Sequence, residues 1–163
     1  MRLLVVILFA ALVLCAFGFL LLDYSTQVEL DPHGLTPSQV QLIEGVGELE
    51  VDEQTIMSFT VQGELMQAVK RLFMTQCASC HGMDGNGGTG PSLTDEKYIL
   101  VRDVRDIYDV IKNGNISKGM PPWQGPLSNT KIVLLSSYVV MLRGSSNEGK
   151  FPEGTAIDPW PAK

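Results

Sequence analysis

Hydrophobic positions change their pattern along the chain. From Leu3 to Leu22 they are continuous: 20 residues without a charge, Pro, Asn or Gln. As a helix that run is about 30 Å long, the thickness of a bilayer's hydrocarbon core. From Tyr24 to Gln62 apolar residues are scattered, and Pro32-His33-Gly34 and Thr36-Pro37 break any period. This stretch predicts an extended arm with one short helix near Ser38 to Glu44, capped by Ser38, and one short strand. From Gly63 the helical period sets in, with Leu65, Met66, Val69, Leu72 and Phe73 on one face running into a Cys-rich turn. A Gly-rich loop follows from Gly82 to Thr94. Val104 to Asn113 is the next helix, stopped by Gly114. After a Gly/Pro loop, Ser128 opens a helix to Arg143 that Gly144 ends. The tail, with Pro152, Pro159 and Pro161, reads as irregular. The expected division is an anchor (1–23), an acidic arm (24–62), an all-α domain (63–144) and an irregular tail (145–163).

Length and charge sharpen this picture. The 163 residues exclude a large multi-domain enzyme, and 7% aromatic content with 16 Gly and nine Pro fits a small domain with irregular loops. The net charge of −6 is unevenly placed: Asp23 to Glu64 holds nine acids and no Lys or Arg, while the rest after Leu65 holds nine acids and 11 bases. No basic patch suited to nucleic acid exists, so no nucleic-acid partner is expected. The apolar run is longer than a signal-peptide core and meets Asp23-Tyr24 without a small-residue cleavage site, so it reads as an uncleaved single-pass anchor through residues 3–22. Cys15 follows Leu14, where lipoprotein processing needs a small residue, and reads as a thiol on the anchor helix. Arg2, the only charge before the run, puts the N-terminus in the cytoplasm and everything after Asp23 on the periplasmic, extracytoplasmic side.

The candidate chemistry is concentrated in Cys77-Ala78-Ser79-Cys80-His81, a C-x-x-C-H haem-attachment signature. Both thiols reach the vinyl groups of one porphyrin edge, and the next residue turns its imidazole under the iron. The alternatives are a disulfide between Cys77 and Cys80, or a zinc site built on Cys77, Cys80 and His81. Zinc wants a further ligand, for which His33 and Cys15 are the remaining typical candidates. For a haem bound by His81, Met120 is the candidate sixth ligand: it lies in Lys118-Gly119-Met120-Pro121-Pro122-Trp123, a loop stiffened by Pro and relieved of bulk by Gly. Met83 is too close to His81, Met66, Met74 and Met141 read as core, and Met57 precedes the domain. His33 is the rival ligand, and a packing role for Met120 with a five-coordinate or His-His haem is the other outcome.

On these motifs, together with Gly90-Pro91-Ser92-Leu93-Thr94, Ile111-Lys112-Asn113-Gly114 and Leu135-x-x-Tyr138-Val139-x-x-Leu142, residues 63–144 resemble a class I c-type cytochrome. The resemblance implies a cytochrome c-like fold, one covalent haem c, a hydrogen bond from the His81 Nδ1 to the Pro91 carbonyl, Trp123 beside a haem propionate, and first and last helices crossing over the haem. In one respect the chain departs from the pattern: Val69 stands where that crossing often has Gly, four residues before Phe73. The helices are therefore expected to pack further apart.

His81 and Met120 as axial metal ligands leave no open iron position, so the expected function is electron transfer and not catalysis. A thioether ligand favours the ferrous state and suits a carrier late in a respiratory or photosynthetic chain. The expected partners are a redox protein, the membrane, and subunits of a membrane oxidoreductase resembling alternative complex III or a haem-copper oxidase. A free-standing anchored shuttle, and a haem enzyme or gas sensor with a labile Met120, are the alternatives.

Overall fold

The computed structural model describes residues 2–25, 28–145 and 148–160, with side chains left undescribed at 2–4 and 20–25. Helix α1, Arg2–Ser25, carries the apolar run, and its described side chains from Val5 to Phe17, and again Phe19, are exposed. Among the described residues no helix is long and apolar enough to cross a membrane.

In the segment expected as an extended arm the expected short helix is present as α2 (Pro37–Glu44), a second, α3 (Glu53–Phe59), joins it, and no strand is found there among the described residues. Pro37 takes the first turn, where its missing N–H costs nothing. The cap is Thr36 and not Ser38. Thr36 Oγ1 accepts from the Gln39 N–H at 3.3 Å while Gln39 Oε1 accepts from the Thr36 N–H at 3.0 Å, a reciprocal pair that Ser38, already inside the helix, cannot form. Asp52 caps α3 by accepting the Thr55 N–H at 2.7 Å.

Both short helices exist because of what they pack against. Leu35, Ile43 and Ile56 are fully buried and Phe59 nearly so, each burial stabilising by about 1.5–3 kcal/mol. The connecting backbone is bound as well. Thr75 Oγ1 donates to the His33 carbonyl at 2.6 Å, Thr130 Oγ1 to that of Gly47 at 2.6 Å, and Asn129 Nδ2 to that of Leu49 at 3.0 Å. Lys131 Nζ meets Glu44 Oε1 at 3.1 Å.

Helix α4 (Gly63–Gln76) ends at the one-turn α5 (Ala78–His81), and α6 (Val104–Asn113) and α7 (Asn129–Leu142) follow, close to the expected bounds. In the sequence Ile132, Leu135, Tyr138, Val139 and Leu142 mark one apolar face on α7. Every residue from Thr130 to Val140 is buried, because α2 and α3 cover the side that α4 and α6 leave open. Val69 is fully buried, and Phe73 on α4 still packs on Tyr138 of α7 with ring centroids 5.2 Å apart.

The tail is more ordered than its prolines suggest. Thr155–Ala156 (β2) pairs antiparallel with Lys97–Tyr98 (β1), Lys97 opposite Ala156 and Tyr98 opposite Thr155. Arg143 holds it. Its guanidinium binds Glu96 Oε2 at 2.7 Å and the carbonyls of Ile157 and Asp158 at 2.7 Å each, and lies 4.4 Å from the Trp160 ring centroid.

Candidate haem site

The C-x-x-C-H motif sits where α4 gives out. The Cys77 N–H still bonds to the Phe73 carbonyl at 2.8 Å, and the single turn of α5 then carries Cys80 and His81. The Gly-rich loop wraps around this turn through hydrogen bonds from the Gly87 N–H to the His81 carbonyl at 2.7 Å and from the Gly90 N–H to the Cys80 carbonyl at 2.9 Å. The loop thereby brings the Pro91 carbonyl 3.0 Å from His81 Nδ1. A carbonyl can only accept, so Nδ1 carries the proton and Nε2 keeps a free lone pair. Burial lowers the His81 pKa against the opposing pull of the Pro91 bond, which favours the neutral, ligating form.

Gly90 shows how closely the ring is held. A Cβ there would stand 3.0 Å from His81 Cε1 and 3.1 Å from Nδ1. The two thiols are free, Cys77 half-buried and Cys80 exposed. Burial, and secondarily Cys80, pushes the Cys77 thiol up to about 12.

On the other side, Gly114 ends α6 with φ +66° and ψ −171°. A Cβ there would stand 2.5 Å from the Pro121 carbonyl and 2.6 Å from that of Met120, so only glycine lets the loop approach. Asn115 and Met120 then exchange backbone hydrogen bonds of 2.9 and 3.0 Å, and the Trp123 N–H bonds to the Ile111 carbonyl at 3.2 Å. These contacts fasten the Met120 loop to the end of α6.

Between these two sides lies a cavity of about 370 Å³. Cys77, Cys80, His81, Pro91, Met120 and Trp123, all six residues singled out from the sequence, line it. Its walls are otherwise mostly apolar, including Phe73, Ile107, Ile111, Leu135 and Val139. His33, the rival ligand, is not on its wall. Among the described residues no group of three or more His, Cys, Asp or Glu is placed to hold a metal ion. The Cys77 and Cys80 thiols, the neutral His81 imidazole and the Met120 thioether, all lining this one cavity, form a donor set that fits haem c. Sequence reasoning missed Ile99, Leu100, Lys150 and Glu153, which also line the cavity. Ile99 and Leu100 lie in an irregular segment, and Lys150 and Glu153 in the tail, where no periodicity points inward.

Residues 64–139 match the family model described as cytochrome c oxidase, cbb3-type, subunit III. A cbb3-type cytochrome c oxidase subunit FixP of Bradyrhizobium sp. is 33% identical over 52% of this chain and 30% of its own length. Subunit CcoP of an Azospirillum sp. is 27% identical over 84% of this chain and 51% of its own. The chain thus spans about half or less of these two relatives. Cytochrome c55X of Paracoccus denitrificans is 32% identical over 44% of this chain and 69% of its own length. The solved structure of cytochrome cL from Methylophaga aminisulfidivorans shares the fold, with a TM-score of 0.50 and 22% identity over 66% of this chain and 88% of that one. The chain belongs to the cytochrome c family, its residues 64–139 being similar to the cbb3-type subunit III model, and that membership implies a covalently bound haem c.

Proposed function

We propose that this protein carries single electrons on one haem c, as a membrane-anchored, non-catalytic subunit of a respiratory oxidase assembly. The observation that carries the reading is the cavity shared by His81, on the one-turn α5 that the Gly-rich loop wraps, and Met120, on its own fastened loop. The haem supplies a reversible ferric/ferrous couple. Cys77 and Cys80 would tether it by thioether bonds. His81 would ligate the iron through Nε2, and the Pro91 carbonyl fixes its ring and raises its basicity. Met120 would supply the second protein ligand, and its neutral sulfur would favour the ferrous state. Trp123, half-buried on the cavity wall, would neighbour a haem propionate. Apolar side chains of α6 and α7 would keep water from the ring.

The exposed apolar side chains of α1 from Val5 to Phe17, together with the continuous run Leu3 to Leu22, support an anchor that leaves the haem domain outside the cytoplasm. The likeness to CcoP and FixP supports a cbb3-type oxidase as the assembly. A reduced-minus-oxidised spectrum of the full chain, taken with and without carbon monoxide, tests the function. A low-spin haem indifferent to the gas is expected. Immediate formation of a carbon monoxide adduct would instead indicate a haem enzyme or sensor with Met120 labile.

A further inference from the structure

The tail reaches the haem cavity through two charged residues. The Lys150 N–H bonds to the Asn86 carbonyl at 2.9 Å. A Cβ on Gly149 would meet Asn86, and a Cβ on Gly87 would stand 2.6 Å from Lys150 Cβ, so tail and Gly-rich loop are pressed together. From there the Lys150 ammonium lies 3.3 Å from the carbonyl of Thr89 and 3.3 Å from that of Gly90. Gly90 precedes Pro91, whose carbonyl accepts the hydrogen bond from His81 Nδ1–H. Glu153 Oε1, a buried atom without a well-aligned hydrogen bond, sits 2.6 Å from the same ammonium as an ion pair. Both side chains line the cavity and are only 33% and 42% exposed.

We propose that Lys150 and Glu153 form an opposed pair of positioning residues that set the reduction potential: the ammonium on the His81 side of the cavity raises it, and the carboxylate moderates that rise. This inference rests on the reading of His81 as a haem ligand. Its physics is Coulombic. Oxidation adds a positive charge at the iron, and a nearby cation opposes that addition in a partly dehydrated wall where screening is weak. Lys118 also borders the cavity, but from the Met120 loop and exposed to water, so its charge is better screened.

The test is a potentiometric titration of the haem-loaded full chain and its variants Lys150→Gln, Lys150→Arg and Glu153→Gln. Lys150→Gln is expected to lower the midpoint potential, Glu153→Gln to raise it, and Lys150→Arg to return it toward the parent value, all with the low-spin spectrum unchanged. A structural role alone would move Lys150→Gln and Glu153→Gln in the same direction or leave both unmoved, and either result would overturn the proposal. Failure of the underlying reading would look different: the parent chain itself would carry no covalent haem, or would bind it without His81.

Discussion

Replacing Gly114 by Ala tests how the Met120 loop is held. The residue's φ of +66° with ψ −171° lies in a region open essentially to glycine alone, and a side chain there costs about 1–3 kcal/mol. The added Cβ would also stand 2.5 Å from the Pro121 carbonyl, against the roughly 3.5 Å of an ordinary contact. Backbone must therefore retreat by about 1 Å, since no flexible side chain is available to give way. That retreat breaks the Asn115–Met120 pair of hydrogen bonds, now 2.9 and 3.0 Å, at about 0.5–1.5 kcal/mol each. The sum is about 2–6 kcal/mol, or a fall in melting temperature of roughly 5–20 °C for a chain of this size. Thermal unfolding followed by the haem absorption reads the stability, and the rate of carbon monoxide uptake reads the Met120 position. Gly114→Ala is expected to melt earlier and to admit the gas. A variant that melts with the parent and stays closed would refute the argument.

Three further substitutions probe the elements around the site. Ile56→Ala, at a fully buried position where α3 meets the core, should cost about 2–5 kcal/mol in urea unfolding; a cost below 1 kcal/mol, on the order of a surface change, would mean the arm is loosely attached. Glu44→Gln leaves the Lys131 ammonium, whose side chain is only 11% exposed, without its counter-ion, and should destabilise by about 1–2 kcal/mol, more than Lys131→Met does. The reverse order by chemical denaturation would contradict the pairing. Arg143→Ala removes one ion pair, two carbonyl contacts and the stacking on Trp160. Limited proteolysis should then cut residues 148–160 several-fold faster, and an unchanged rate would show that β2 alone holds the tail.

Helices α4, α6 and α7 were legible because each is at least ten residues long, with an apolar period and a terminating Gly or Cys-rich turn. Helix α2, of eight residues, is legible only from its start signals, with the cap read two residues late, and α3, of seven, is too short to display a period. Their signals were local, Thr36-Pro37 with Gln39 and Asp52-Glu53, and their apolar residues make sense only against α4 and α7. The −9 charge of residues 23–64 drew attention to solvent-facing acids, while Leu35, Ile43, Ile56 and Phe59 carried the fold. The tail was hidden for a similar reason: Arg143 acts on carbonyls 14 and 15 residues away. The site was more readable. The C-x-x-C-H motif gives Cys77, Cys80 and His81 a fixed local spacing, and the Met120 loop has glycine and proline at adjacent places, whereas Lys150 and Glu153 reach the cavity by tertiary packing that no local pattern encodes.

In the proposed function Met120 and His81 hold one haem iron from opposite sides. Proton NMR of the ferrous, haem-loaded chain tests it most directly, because a methionine methyl lying over the porphyrin is shifted far upfield by the ring current. A single upfield three-proton signal that disappears in Met120→Leu is expected. A ferrous spectrum without that signal, or one in which Met120→Leu retains it, would contradict the account.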